Sequence, residues 1–141
     1  MAHITEVVGT YSELVAQVAL IANGYKVSSP AMAEPYDLKA EDPLTGTEYK
    51  IQVKTIRKRG DRRNELVVYA TNGSGASYEK SDVDLFIGVL GGEGEVPRVF
   101  MFENRSIKEY WATEAKASER WVELPIWLNR DAYNKNEAEA V

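Results

Sequence analysis

Three polar side chains in the N-terminal half of the chain have the types and spacing that metal-assisted phosphodiester cleavage needs. Gln52 and Lys54 are two residues apart in a stretch of alternating apolar and charged residues, so on a β-strand both point to one side. Asp37, in a similar stretch before a turn, can face them across a hairpin. An acid and an amide oxygen can hold a hard cation such as Mg²⁺, while the lysine orients water or neutralises a phosphate. The same spacing also fits an ordinary hairpin with a solvated outer face, so the pattern on its own leaves both interpretations open.

The element that would position these residues is an antiparallel hairpin over residues 36–55. Apolar residues alternate with charged ones in both arms, which is the period of a strand with one apolar face. The turn between the arms, residues 42–46, is rich in residues that reverse a chain at low conformational cost. We therefore predict two paired strands whose charged face carries Asp37, Gln52 and Lys54.

An amphipathic helix is predicted before the hairpin, over residues 10–23. Thr10 and Glu13 have the spacing of a capping box at its start, and Gly24 stands where a helix ends in a left-handed residue. On this interpretation Glu13 is a capping carboxylate, which does not exclude a second role. The apolar residues at helical spacing are Tyr11, Leu14, Val15, Val18, Ile21 and Ala22.

The remaining elements are predicted from periodicity and turn residues. The nearly continuous apolar run at 84–90 predicts a buried central strand, and Asp82 and Asp84 before it are interpreted as turn caps. We predict one domain over residues 1–133 and a disordered acidic tail over residues 134–141. The other predicted elements are a strand at 25–27, a basic loop at 57–63, strands at 65–71 and 99–102, a helical turn at 78–83, a helix that begins at Ser106 with Glu109 completing its capping box, and an extended apolar segment at 121–128.

Composition narrows the kind of metal site and the location of the protein. The 141-residue chain has no cysteine and one histidine, so thiolate and histidine clusters are excluded and any metal must be held by oxygen. The sequence has no signal-peptide pattern and no evident apolar run of membrane-spanning length, which predicts a cytoplasmic protein without a membrane partner. The net charge is −5, yet residues 57–63 are strongly basic, so a basic patch coexists with an acidic body.

Four segments between Gly9 and Val89 follow one another with natural spacing: GTYSELVAQVALIANGYKVSSP, PYDL, YKIQVKT and YEKSDVDLFIGV. Together they resemble the PD-(D/E)xK nuclease superfamily, and within it the homing endonucleases associated with group I introns. The resemblance implies an α/β fold with a restriction-endonuclease-like core, in which a mixed central sheet is flanked by helices. It also implies an Mg²⁺-dependent DNA endonuclease that hydrolyses phosphodiester bonds and in which Mn²⁺ can substitute.

The resemblance assigns roles to four residues. Glu13 would match the helix-borne acid, Asp37 the metal-binding acid and Lys54 the catalytic lysine. Gln52 would match a second acidic position, so the metal would be held by Glu13, Asp37 and Gln52 with one negative charge fewer than in the superfamily pattern. Tyr36 also departs from the pattern, because it stands where a proline precedes the aspartate. The glutamine leaves open a catalytically inert DNA-binding module.

The implied partner is double-stranded DNA, cut at a specific site by a homing or phage-type enzyme in a bacterial or phage-infected cell. A structure-specific nuclease of the Holliday-junction-resolvase kind is the alternative within the fold, because target choice lies in loops and oligomer geometry. Cutting both strands of a duplex needs two active sites, which predicts a homodimer or homotetramer, and the apolar segment at 121–128 suggests an interface. The predicted DNA contacts are Ser28, Ser29, Arg57, Lys58, Arg59, Arg62 and Arg63.

Overall fold

The fold begins with a long helix and continues mainly as β-strands. The computed structural model describes residues 1–133, so the predicted tail at 134–141 lies outside the described residues. Single 3-10 turns occupy Gly60–Arg62 and Glu114–Lys116. The helices are α1 (Ile4–Ala22) and α2 (Ala117–Arg120), and the strands are β1 (Lys26–Ser28), β2 (Leu38–Glu41), β3 (Glu48–Thr55), β4 (Arg57–Arg59), β5 (Glu65–Tyr69), β6 (Leu85–Leu90), β7 (Arg98–Glu103), β8 (Glu109–Ala112) and β9 (Val122–Leu124).

A six-stranded mixed sheet forms the centre of the described fold, in the order β1-β2-β3-β6-β7-β9. Strands β3 and β6 run parallel, and every other neighbouring pair in this sheet is antiparallel. A parallel pair needs a long crossover connection, and here β4, β5 and the loop after them supply it. The predicted buried central strand is confirmed, because β6 has a neighbour on each side and Phe86, Ile87 and Val89 are fully buried.

Strands β2 and β3 form the predicted antiparallel hairpin, with Leu38 opposite Ile51. The Asp42 carboxylate accepts a hydrogen bond from the N–H of Leu44 at 2.8 Å, which closes the turn. Gly46 has a φ of +72°, a conformation that a residue with a side chain rarely adopts. The apolar face of the hairpin packs against α1, so its charged face is directed to the opposite side of the sheet.

Helix α1 begins well before the predicted start. His3 is the N-cap, and its Nδ1 accepts a hydrogen bond from the N–H of Thr5 at 3.2 Å. The predicted capping box of Thr10 and Glu13 is therefore wrong, because both residues lie inside a continuous helix whose N–H groups are already bonded within it. The predicted end is confirmed by Gly24, whose φ is +89°.

Helix α1 meets the sheet through small residues and not through most of the predicted apolar face. Ala16, Ala19 and Leu20 are fully buried against the hairpin and its neighbouring strands. The helix is apolar on two sides, and the alanine side is buried because small side chains let the helix backbone approach the strands closely. The residues of the predicted face that remain 45–57% exposed are Tyr11, Leu14, Val18 and Ile21.

A second, three-stranded antiparallel sheet, in the order β4-β5-β8, covers the face of the central sheet opposite α1. An aromatic core fills the space between the sheets, where the Phe86 ring lies 5.6 Å from that of Tyr78 and 5.9 Å from that of Phe102. Gly88 of β6 makes room for Ile56, since a Cβ added at Gly88 would lie 2.9 Å from Ile56 Cγ1. The layers are thus α1, the central sheet and the second sheet.

Two segments predicted differently belong to this second sheet. The basic stretch predicted as a loop contains β4, because Arg57–Arg59 pairs with β5. The helix predicted from Ser106 is also wrong: Ser106 has a φ of +56°, whereas an N-cap residue is extended, and the residues that follow form β8. Tyr110 and Ala112 are buried while Trp111 between them is exposed, so burial of one strand face decides the structure against a local capping signal.

By length and composition alone, α1 is apolar enough to cross a membrane, which corrects the prediction that no run of the chain approaches that length. The same length and composition occur in helices that pack inside folded domains. Ala16, Ala19 and Leu20 of α1 contact the central sheet, so one side of the helix belongs to the core of the domain while the other side is exposed.

Candidate active site

Asp37 lies one residue before β2, beside the middle of β3. Its N–H donates to the carbonyl of Ile51 at 2.9 Å, and its Oδ2 accepts a hydrogen bond from the N–H of Val53 at 2.8 Å. Because β2 begins only at Leu38, no strand residue takes the Val53 N–H, and the carboxylate fills that place. These two bonds hold one carboxylate oxygen next to β3 and leave Oδ1 available as a ligand.

The structure brings Asp37 and Gln52 together, as predicted. Both line a cavity of about 270 Å³ on the face of the central sheet that is turned away from α1. The loop between β5 and β6 closes the far side of this cavity with Tyr78, among other residues. The further polar lining residues are Glu34, Asn72, Ser77, Glu79 and Asp82.

Lys54 lies at the junction of this cavity with a larger one. Its Nζ donates to the carbonyl of Thr71 at 3.2 Å and to the Tyr78 hydroxyl at 3.1 Å, and it lies 5.0 Å from the centre of the Tyr78 ring. Lys54 lines a cavity of about 590 Å³ together with Arg57 and the first turns of α1. Because Tyr78 lines the smaller cavity, the lysine–tyrosine contact lies between the two cavities.

Glu13 approaches the site from α1. Partial burial and the negative charge of the neighbouring Asp37 raise the pKa of the Glu13 carboxyl above its usual range, and a hydrogen bond between the two carboxyl groups adds to the effect. The helix is held in register by Ser12, whose hydroxyl lies 2.7 Å from that of Thr55, the residue after Lys54. Two carboxyl groups this close favour a shared proton or a shared cation.

The oxygen atoms of the site fit a hard divalent cation. Glu13 and Asp37 supply carboxylates and Gln52 supplies an amide oxygen, which are ligands that Mg²⁺ and Mn²⁺ accept. Among residues 1–133, no group of three or more histidine, aspartate or glutamate side chains is placed to hold a metal ion. The candidate metal site therefore depends on the glutamine as its third protein ligand.

Tyr78 and Thr71 were missed by the sequence reasoning. No spacing rule connects them to Lys54, which lies 24 and 17 residues away, because the contacts form only when the loop after β5 folds back over β3. The interpretation of Asp84 as a turn cap is wrong, since its Oδ2 accepts a hydrogen bond from the N–H of Lys50 in β3 at 2.8 Å, just before β6 begins. Asp82 lines the smaller cavity.

Acidic partners neutralise much of the basic stretch. Lys58 lies 2.9 Å from the Glu114 carboxylate, Arg59 pairs with Asp61, and Arg62 pairs with both Glu65 and Glu109. Arg57 differs, because its guanidinium lies over the Tyr69 ring at 5.6 Å and lines the larger cavity with Lys54. Arg63 is exposed and has a φ of +55°.

Ser28 and Ser29 lie at the outer edge of the central sheet. Ser28 is the last residue of β1 and pairs with Lys39, two residues after Asp37, and both serines are exposed. Neither serine lines the two cavities described above. Their predicted role in binding DNA stays a prediction.

The chain belongs to the PD-(D/E)XK endonuclease family, whose model matches residues 3–100 and therefore includes Glu13, Asp37, Gln52 and Lys54. The fold is similar to the solved structure of the bacterial homing endonuclease I-Ssp6803I, with a TM-score of 0.60, 23% identity, and coverage of 81% of this chain and 78% of that one. This similarity confirms the predicted restriction-endonuclease-like α/β fold.

A second solved structure, the Holliday junction resolvase Hjc from Archaeoglobus fulgidus, matches with a TM-score of 0.47 and 20% identity over 82% of this chain and 90% of that one. No curated protein sequence matches the chain.

Proposed function

We propose that this protein is a divalent-metal-dependent endonuclease of the site-specific homing or phage type, which hydrolyses phosphodiester bonds in double-stranded DNA. The observation that carries the proposal is the cavity that Asp37 and Gln52 share, with the Glu13 carboxyl beside Asp37 and the Lys54 ammonium bonded to Tyr78, which lines the same cavity. Family membership supports nuclease chemistry, and the oxygen ligands support Mg²⁺, with Mn²⁺ as a substitute.

The site residues have two roles: three of them would bind the metal ion, and the Lys54 ammonium would contact the substrate or water. A divalent ion, when bound by Glu13, Asp37 and Gln52, would supply Lewis acidity at the scissile phosphate. Asp37 is held for this task by its hydrogen bond to Val53, so its position does not depend on the ion. Lys54 has three N–H donors, of which Thr71 and Tyr78 accept two, and the third can reach a phosphate oxygen or the attacking water.

Duplex cleavage on both strands requires two such sites, so the proposal includes a homodimer or homotetramer. Arg57 lies next to Lys54 on the larger cavity, which makes it the best placed of the basic residues to contact a backbone phosphate. Three other predicted DNA contacts already form ion pairs with acidic side chains. To bind a phosphate, Lys58, Arg59 and Arg62 would have to give up those ion pairs.

The experiment is cleavage of a plasmid library with random inserts in the presence of Mg²⁺ or Mn²⁺, followed by sequencing of the cut ends. We expect ends that cluster at one sequence, loss of cleavage with Asp37→Asn and with Lys54→Met, and unchanged cleavage with the exposed control Asp131→Asn. Asparagine keeps an oxygen that can accept the Val53 hydrogen bond, so Asp37→Asn tests the charge and not the fold.

The same enzyme is offered a synthetic four-way junction of fixed sequence. Cleavage of the junction without clustered ends in the library would replace the site-specific proposal by a structure-specific nuclease. DNA binding without cleavage in either metal would mark an inert binding module, and full activity of Asp37→Asn would remove Asp37 from the site.

A further inference from the structure

Helix α1 carries a second apolar surface on the side that does not touch the central sheet. We name the six residues of this surface the outer stripe; between 45% and 68% of each is exposed. The buried side of the same helix already supplies its packing, through Ala16, Ala19 and Leu20. Apart from Tyr11, whose ring lies 3.1 Å from the place of a Cβ at Gly91 after β6, the outer stripe adds little to the packing of α1 on its own sheet. It consists of Ile4, Val7, Tyr11, Leu14, Val18 and Ile21.

The spacing of the outer stripe is that of a helix that packs against another helix. Its residues are separated alternately by three and four positions, which is the a and d pattern of a seven-residue repeat over the whole of α1. A repeat of this kind averages about 3.5 residues and keeps one seam facing a partner helix. Only the first residue of the outer stripe, Ile4, also lines the larger cavity with Lys54 and Arg57, whereas a helix that bound DNA along its length would carry lysine and arginine.

The residues that border the outer stripe carry no charge. They are Val8 and Val15 on one side and Thr10 and Gln17 on the other, at the positions that usually hold charges which select or reject a partner. Two copies of a chain with net charge −5 can therefore approach along this surface without placing like charges opposite each other. Charge repulsion therefore does not oppose contact between two copies of the outer stripe.

The exposed area is large enough for a dimer. The outer stripe together with Val8 exposes about 600 Å² per chain, which is at the upper end of the range for the largest apolar patch of typical monomers. Two such surfaces in contact would bury roughly 1,200 Å², the lower limit for a stable interface. The C-terminal tail at 134–141 does not match this surface, because Val141 is its only large apolar residue.

We propose that the outer stripe of α1 packs against the outer stripe of a second copy of this chain, with two-fold symmetry. This inference goes beyond the proposed function and does not need it, although the consequence for a nuclease is direct. Glu13 precedes Leu14, so the helix that forms the interface also carries a site residue. The interface would then fix the separation of the two sites.

The first test is the mass of the full chain by light scattering over a range of concentrations. We expect a wild-type mass of at least twice the chain mass of 15.8 kDa, and a mass half as large for Val18→Glu. Val122→Glu is the matched control, since Val122 is 59% exposed on β9 and Val18 is 52% exposed. We expect this control to keep the wild-type mass.

Circular dichroism of both variants is the control for folding, so that a lower mass of a folded variant reports association alone. A wild-type mass of one chain at every concentration overturns the proposal, and so does a Val18→Glu mass equal to that of the wild type. Loss of association in Val122→Glu alone would move the interface to the C-terminal apolar segment.

The second test uses the absence of native cysteine, which makes single-cysteine variants specific reporters. Under mild oxidation, Leu14→Cys at the middle of the outer stripe is expected to give disulfide-linked dimers if the helices run antiparallel. In a parallel pair, equivalent positions lie opposite each other along the whole helix. Ile4→Cys would then form a dimer with a second Ile4→Cys chain, and Ile21→Cys with a second Ile21→Cys chain. If none of these variants, alone or mixed, cross-links faster than Val122→Cys, the helices do not meet. A chain that stays monomeric would also remove the oligomer from the proposed function, whereas the nuclease chemistry is tested separately, by cleavage with the Asp37 and Lys54 variants.

Discussion

Replacing Tyr78 with phenylalanine tests whether the loop after β5 contributes to the chemistry of the site. The substitution removes one hydroxyl, which accepts a hydrogen bond from Lys54 Nζ at 3.1 Å. It keeps the ring, so the contact of the ammonium with the ring at 5.0 Å and the edge contact with Phe86 at 5.6 Å remain. The change therefore isolates the effect of the hydroxyl on the lysine.

The expected magnitude follows from what Lys54 retains. A hydrogen bond to a charged group contributes about 1.5–3 kcal/mol, but Lys54 is only half-buried, so water can take the place of the hydroxyl. Its bond to the Thr71 carbonyl is unaffected. We expect a net loss of about 1 kcal/mol in the transition state, which corresponds to roughly a fivefold lower turnover.

The assay is single-turnover cleavage of a cut site found in the library, at saturating enzyme and with Mg²⁺. The control is Tyr25→Phe, which removes a hydroxyl from a residue that packs beside α1, away from both cavities. We expect the control to cleave at the wild-type rate and Tyr78→Phe to bind DNA and unfold in urea as the wild type does. A wild-type rate for Tyr78→Phe would show that the hydroxyl does not position Lys54, and an equal loss in Tyr25→Phe would show a general effect.

Three further changes test other parts of the structure. Burial and the charge of Asp37 raise the pKa of Glu13. Between the ordinary carboxyl pKa and this raised pKa, the folded protein holds a proton that the unfolded chain has lost. The free energy of unfolding therefore falls as the pH rises through this range. Glu13→Gln should therefore be more stable than the metal-free wild type in urea at pH 8 but not at pH 4, and parallel pH dependences would contradict this. Gly88→Ala places a Cβ 2.9 Å from Ile56 and should cost about 1–3 kcal/mol of unfolding free energy in the same assay, with an unchanged urea midpoint as the contrary result. Arg57→Ala should flatten the slope of log DNA affinity against log salt concentration by about one unit. Arg62→Ala loses ion pairs with Glu65 and Glu109 and should mainly lower the free energy of unfolding. The reverse result would place the DNA on the Arg62 side.

The sequence determined the parts of the fold whose signals are local. The period of two in residues 36–55 and the turn residues between the arms predicted the β2–β3 hairpin, and the apolar run at 84–90 predicted β6. Because strand alternation fixes which side chains share a face, the placement of Gln52 with Asp37 followed from sequence as well. The family also followed, since its motifs lie in these same segments.

Tertiary structure decided which of two apolar surfaces of α1 is buried. Both surfaces have helical spacing, and spacing does not record how closely a helix can approach a sheet. The alanines at 16 and 19 permit that approach, so the larger side chains at 14 and 18 remain outside. Tertiary structure likewise decided that residues 109–112 form a strand, because β5 offers a partner that is distant in sequence.

In the site too, the sequence predicts the position of a residue along its strand, and tertiary structure decides which groups that residue contacts. The sequence places Lys54 on a strand beside Gln52, but the acceptors of its ammonium come from a loop that reaches it only after the second sheet has formed. Similarly, the ion pairs of Lys58, Arg59 and Arg62 could not be read from a run of basic residues. Strand periodicity acts between neighbours along the chain and can be read from sequence, whereas the contacts that set the charge and orientation of a functional group depend on residues that only the folded chain brings together.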